Sequence, residues 1–247
     1  MKIDLNCDMG EGYGNDAELM DYVSSANIAC GFHAGDAATM RTTVETAIEK
    51  GVAIGAHPGY RDRENFGRIA MRLSPKKIHD IVTEQIATLN EIATTCGGKL
   101  THVKPHGALY NQAARDSELA VAIAEAVFTI DANLVLFGLS GSVSIVEAEM
   151  RGLRTASEVF ADRTYQPDGS LTPRIEPNAL INDAQMAAAQ VVQMVTQQTV
   201  TTLSGQTVRI KADTICIHGD GSHALEFAGA IAAALAANNI KIASVLG

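Results

Sequence analysis

Cationic side chains are scarce: the 247-residue chain has 19 Lys and Arg against 28 Asp and Glu, for a net charge of −9. That balance argues against nucleic acid or an anionic membrane surface as a main partner. Cysteine is sparse too, and Cys7, Cys30, Cys96 and Cys216 show no CxxC spacing, so neither a zinc knuckle nor a dithiol motif is expected. Three of them fall in or beside expected strands, where a free thiol behaves as a small apolar residue. This usage fits a reducing compartment, the cytoplasm. No apolar run reaches the length of a membrane span; the longest, around Ala228 to Ala237, is alanine-rich and helical in character. The opening Met1-Lys2-Ile3-Asp4 lacks the apolar region of a signal peptide and enters a strand at once.

Several catalytic and nucleotide-binding motifs are missing as well. G-x-x-x-x-G-K-[ST] is absent, and the one Gly-Lys pair, Gly98-Lys99, runs into Leu100. Gly10-Glu11-Gly12-Tyr13-Gly14 lacks the G-x-G-x-x-G spacing, and Asp8 and Glu11 would repel phosphate. Gly138-Leu139-Ser140-Gly141-Ser142 is not a G-x-S-x-G elbow, and there is no HExxH. The chain is therefore not expected to bind ATP through a P-loop or to work through a serine nucleophile.

Apolar side chains are plentiful, at 47% of residues, and the length suits one large α/β domain over residues 1–247. β-Branched runs bounded by glycine predict strands at Lys2–Asp8, Ile28–Cys30, Ala53–Ala56, Thr101–Lys104, Leu134–Gly138, Arg154–Glu158 and Thr214–His218. Helical patterns lie between them, at Ala37–Lys50, Ser74–Cys96, Ser117–Phe128, Ser142–Arg151, Asp183–Gln198 and Ser222–Asn238. Ser74-Pro75 is a cap followed by proline at the first helical position, and Gly97-Gly98 is the matching stop. This alternation predicts a parallel sheet rolled into a distorted seven-stranded TIM-like barrel. Ile240–Val245 is a candidate eighth strand, Tyr165–Pro173 reads as a loop, and Val200–Ile210 as a hairpin around Ser204-Gly205.

Polar residues gather where these strands end. Asp4, Asn6 and Asp8 share one face of the first strand, which suits a wet barrel interior or, alternatively, a buried hydrogen-bond network. His33, His57 and His106 end three further strands, and Glu11 follows Asp8 in its loop. Imidazoles and carboxylates in this arrangement suit a divalent cation; the same groups also suit metal-free acid–base work, and sequence leaves both readings open. Lys104 shares a strand face with His106 and can polarise a carbonyl or hold a carboxylate. Arg61, Arg63 and Arg68 crowd the loop after the third strand, reading either as a solvated charged loop or as a site for an anionic substrate. Glu158, Asp162, Arg163 and Arg174 flank a long loop able to close over the mouth, and Asp220 stands beside His218 to orient its ring. Polar groups at five strand ends read as an enzyme.

Five segments in fixed order carry a resemblance: Asp4-Leu5-Asn6-Cys7-Asp8-Met9-Gly10-Glu11, Ala29-Cys30-Gly31-Phe32-His33-Ala34-Gly35-Asp36, Gly55-Ala56-His57-Pro58-Gly59-Tyr60, Val103-Lys104-Pro105-His106-Gly107-Ala108-Leu109-Tyr110 and Ser157-Glu158-Val159-Phe160-Ala161-Asp162-Arg163. Together they closely resemble the LamB/YcsF family over essentially the whole chain. The resemblance implies a barrel of the glycoside hydrolase/deacetylase type. It also implies ATP-dependent opening of 5-oxo-L-proline to L-glutamate with B and C subunits as partners, the ATP being held mainly by them; a homo-oligomer of this chain is a further arrangement. By analogy with metal-dependent deacetylases it implies Asp8, His57 and His106 as metal ligands and His33 as acid–base group or fourth ligand. Catalytic roles then fall to Asp8, Glu11, His33 and His106, and substrate contacts to Asn6, Arg61, Arg68, Lys104, Glu158 and Arg163. Two other readings are a stand-alone metal-dependent deacetylase or amidohydrolase, and a non-catalytic substrate-binding subunit.

Overall fold

The computed structural model describes residues 1–217 and 224–246. In chain order its strands are β1 (Lys2–Met9), β2 (Ser25–Ala29), β3 (Ala53–His57), β4 (Leu100–Val103), β5 (Val135–Leu139), β6 (Arg154–Phe160), β7 (Thr199–Thr201), β8 (Thr207–Arg209), β9 (Thr214–Ile217) and β10 (Lys241–Ile242). Parallel pairing runs from β1 through β2, β3, β4, β5 and β6 to β9, and β9 returns to β1. Asp4 thus faces Thr214 on one side of β9 and Glu158 faces the same Thr214 on the other, which closes a seven-stranded barrel. The candidate eighth strand reduces to β10, which pairs only with Lys2 and Ile3 and does not separate β9 from β1. β7 and β8 form the expected antiparallel hairpin.

The helices are α1 (Asp16–Leu19), α2 (Ala37–Lys50), α3 (Pro75–Thr95), α4 (Gly107–Ala113), α5 (Ser117–Ile130), α6 (Val143–Arg151), α7 (Ala184–Gln197) and α8 (Ala224–Ala237). Their ends obey local chemistry. Asp36, Ser74, Asp116 and Asp183 each accept a backbone N–H from the first turn of α2, α3, α5 and α7. Gly51 closes α2 at φ 68°, a conformation that glycine enters without steric cost. α1 and α4 are additions to the expected pattern. α4 lies hidden in sequence because Pro105 and Gly107 read as breakers, whereas here His106 is its N-cap. The expected start of the last helix at Ser222 lies outside the described residues, as do His218 and Asp220. Among the described residues no helix is long and apolar enough to cross a membrane.

Alternation along β1 sends Leu5, Cys7 and Met9 outward into the apolar layer beneath the helices. Asp4, Asn6 and Asp8 point inward. The lower interior is filled by a buried hydrogen-bonded network. Asp4 accepts from Ser24 at 2.7 Å, Ser25 at 2.6 Å and Thr214, and Asn6 donates to Glu158 at 3.0 Å and Thr214 at 2.7 Å. These partners offset the desolvation of the buried polar groups. One level up, the His102 ring lies over Gly55, stacked 4.3 Å from Phe137, and bonds Asn27 at 2.8 Å. These layers fill the barrel and leave chemistry to the rim.

Candidate active site

Four side chains from separate strand–helix connections meet at the C-terminal rim. Glu11 comes from the loop after β1, His33 from the loop after β2, His57 from the end of β3, and His106 from the β4–α4 junction. One donor atom from each lies within 4.8 Å of the other three. Glu11 Oε1 is 3.4 Å from His33 Nε2, 3.4 Å from His106 Nδ1 and 3.9 Å from His57 Nε2, while the latter two nitrogens stand 2.9 Å apart. His33 stacks on His106 with ring centres 3.8 Å apart and planes 3° from parallel.

Two backbone carbonyls decide where the ring protons sit. A carbonyl can only accept, so His57 Nδ1, 2.7 Å from Lys104 O, carries a hydrogen, as does His106 Nε2, 2.9 Å from Phe66 O. In the neutral rings, His57 Nε2 and His106 Nδ1 are then both lone pairs, facing each other at 2.9 Å. Two facing lone pairs repel, so the pair calls for a positive centre, either an added proton or a cation. Burial opposes the proton. It pushes His106 down to about 3, with the neighbouring His57 adding to the effect. Burial also drives His33 far below the usual imidazole range, aided by His106 and His57. Both ring nitrogens of His33 are buried without a hydrogen-bond partner. A tetrahedral ion with ligand bonds of about 2.0–2.1 Å sets its donor atoms roughly 3.3–3.4 Å apart. Three of the six separations among these donors lie within about half an ångström of that spacing and all lie within 4.8 Å, so a donor set of one carboxylate and three imidazoles fits a divalent cation.

Asp8 borders this centre, with Oδ2 3.3 Å from His57 Nε2. Its other oxygen accepts from Lys104 Nζ at 2.9 Å and Asn27 Nδ2 at 2.9 Å. Lys104 is buried, and its ammonium also meets Glu158 Oε1 at 2.9 Å, Asn6 Oδ1 at 3.2 Å and Cys216 Sγ at 3.1 Å. Burial alone would lower the lysine pKa; Asp8, Cys216 and Glu158 outweigh it and hold the ammonium well above its ordinary range. Above the rim opens a cavity of about 660 Å³. Asp8, Glu11, His57, Lys104 and His106 form one side, and Arg68, Arg115, Arg163 and Arg174 bring positive charge to the rest, between Phe160, Leu139 and Leu171.

The chain has close relatives. The profile of the LamB/YcsF family matches residues 3–247. The chain belongs to that family. A relative from Shouchella clausii (strain KSM-K16), named as the A subunit of 5-oxoprolinase, is 56% identical over 245 residues, covering 97% of each chain. The crystal structure of a lactam utilization protein from Thermus thermophilus shares 44% identity, with a TM-score of 0.94 over 98% of this chain and 99% of that one. A family 4 carbohydrate esterase from Streptomyces lividans, 12% identical with a TM-score of 0.53 over 98% of this chain and 91% of that one, shares the fold.

Within this LamB/YcsF barrel the sequence-derived candidates divide. Asp8, Glu11, His57, His106, Arg68, Lys104 and Arg163 line the cavity, and His33 packs directly behind His106. Asn6 and Glu158 are fully buried and lie behind the lining, committed to the barrel network. Arg61 stands outside the cavity, pairing with Glu84 at 3.0 Å and covering the Phe32 ring. Arg63 turns inward to the backbone, donating to Gly31 O and Gly35 O. Arg115 and Tyr110 line the cavity without standing out in the sequence, because α4, which carries Tyr110 and leads into Arg115, is hidden there. A neighbouring hollow of about 1020 Å³, bordered by Arg115, Ser142, Arg209 and Lys211, holds none of the clustered histidines.

Proposed function

We propose that this chain is the hydrolytic subunit of an ATP-dependent 5-oxoprolinase, opening 5-oxo-L-proline to L-glutamate together with B and C subunits. The observation that carries the reading is the buried Glu11–His33–His57–His106 centre beneath a cavity edged with arginine. Its closeness to relatives named as 5-oxoprolinase A subunits and to the lactam utilization protein supplies the substrate class. The absence of a P-loop motif from this sequence supports placing the ATP on partner chains.

In this scheme the partner chains transfer the ATP phosphoryl group to the lactam, releasing ADP, and this chain hydrolyses the activated ring. One water adds hydroxyl to the carbonyl carbon as the C–N bond breaks and a proton passes to the departing nitrogen; a second water releases the phosphoryl group as inorganic phosphate. In this reading Asp8 accepts the proton of the attacking water, because Lys104 and Asn27 fix one of its oxygens and leave Oδ2 toward His57. Arg68 and Arg174 hold the substrate carboxylate across the cavity, and Arg163, tied to Thr172 O at 2.5 Å, anchors the loop that carries Arg174. Glu11, His33, His57 and His106 would hold a divalent cation, which when bound supplies polarisation of the carbonyl and a more acidic water. The deacetylase-like barrel favours one alternative, hydrolysis of an acylated sugar or amide without ATP.

The test is glutamate release from 5-oxoproline and ATP, by this chain alone and with its candidate partners, before and after chelation. Release only in the full mixture, and its loss on chelation, is expected. No release from any mixture with competent partners would contradict the proposal; deacetylation by the chain alone would favour the alternative.

A further inference from the structure

Phe66 occupies a backbone conformation that its side chain disfavours. Its φ is 56°, in the left-handed region where a bulky residue is a genuine outlier. Strain of this kind persists only where its surroundings over-determine it, and it concentrates at functional sites. The segment is pinned on both sides: Arg63 bonds Gly31 O at 2.9 Å and Gly35 O at 2.6 Å, and Gly67 N donates to Asp62 O at 2.8 Å. Gly67 follows, also left-handed at φ 62°, with its O accepting from Ala108 N at 3.0 Å. A Cβ at Gly67 would stand 2.9 Å from His33 Cβ and 3.1 Å from His106 Cδ2, so only glycine lets the segment lie this close to the stacked histidines.

This fold of the segment brings Phe66 O within 2.9 Å of His106 Nε2. The Phe66 ring meets His33 and His106 edge-on, at 5.7 Å and 5.3 Å between centres, and the Arg68 guanidinium lies 4.8 Å from its centroid. We propose that Phe66 is a positioning residue for the centre. Its strained backbone aims a carbonyl that fixes His106 in the Nε2–H tautomer, turning the Nδ1 lone pair to Glu11 and His57. Its ring holds the two imidazoles and the Arg68 side chain in place. Outer partners of this kind commonly matter about 10–100-fold without touching substrate.

Three variants separate backbone from ring. Phe66→Tyr keeps both, Phe66→Gly keeps the backbone conformation but removes the ring, and Phe66→Val disfavours the left-handed backbone. Histidine side-chain ¹⁵N NMR on the full chain reads the His106 tautomer directly. The kinetic arm, kcat and KM for ring opening in the reconstituted mixture, rests on the proposed function; the NMR arm does not. In Phe66→Tyr, the Nε2–H signature and a kcat within about 3-fold of wild type are expected. Phe66→Gly should keep the signature while kcat falls about 10-fold at little-changed KM, and Phe66→Val should lose the signature and about 100-fold in kcat. A wild-type signature in Phe66→Val would overturn the proposal. So would unchanged kcat in Phe66→Gly, which decides the matter even where Phe66→Val fails to fold. If wild type opens no ring, the proposed function fails, while the tautomer signal still tests Phe66.

Discussion

Lys104 illustrates how one cavity-lining side chain can also tie the barrel together. Its three N–H donors face two carboxylates, an amide oxygen and a thiol, all from other strands. The sequence makes this lysine an obvious holder of substrate carboxylate, and the cavity does reach it, but its donors are already engaged within the barrel. Replacing Lys104 with Met leaves Asp8 and Glu158 facing each other without a counter-charge. Removing one partner of such a buried ion pair costs about 3–5 kcal/mol, and the urea midpoint should fall accordingly. Little change would mean that the carboxylates are protonated or solvated. Strand-end histidines were legible because each follows a short apolar run and precedes Gly, Pro or a small residue. The ligand-like partnership of Glu11 with His33 was not, since loop residues are placed by backbone turns that sequence spacing does not encode.

At the scale of elements, the barrel strands were readable from β-branched runs, and the ring of parallel pairings followed from their alternation with helices. The length of the strand ends was not. β2 starts at Ser25, before the expected Ile28, and β6 runs on to Phe160, because cross-strand pairing extends past the apolar runs. Asn6 and Glu158, expected to reach substrate, are fully buried just behind the cavity lining, where packing depth along the axis decides exposure. β3 shows the constraint most sharply. A Cβ at Gly55 would sit 2.1–2.4 Å from three atoms of the His102 ring. That ring is held between Phe137, Asn27 and Thr101 and has nowhere to move. Gly55→Ala should therefore destabilise by about 1–3 kcal/mol or more and shift the His102 ring resonances in NMR. A variant of wild-type stability would contradict this packing.

Across the whole molecule, the buried imidazoles tie stability to pH. Burial lowers His102 from 6.5 to about 3, with Lys104 and His57 adding to the shift. Below pH 6.5 the unfolded chain takes up a proton that the folded barrel refuses, so stability falls as pH falls, until the folded pKa near 3 is reached. At pH 5 this one group should cost about 2 kcal/mol relative to pH 7. His33 and His106 act in the same direction. Urea titrations at the two pH values, on wild type and on His102→Gln, measure the difference; an equal loss in both would assign the sensitivity to other groups. At the rim, burial opposes the proton that the facing lone pairs of His57 and His106 would otherwise take, which favours a cation there.

The most direct test of that centre's role places His57→Ala in the reconstituted mixture with partner chains and follows ADP and glutamate in parallel. With a folded variant, confirmed by circular dichroism, ADP formation should continue while glutamate release falls to below about 1% of wild type, as expected when a group acting in the chemical step is removed. Glutamate release at the wild-type rate would show that the ring is opened elsewhere, and that the histidine centre of this chain is not where the lactam is hydrolysed.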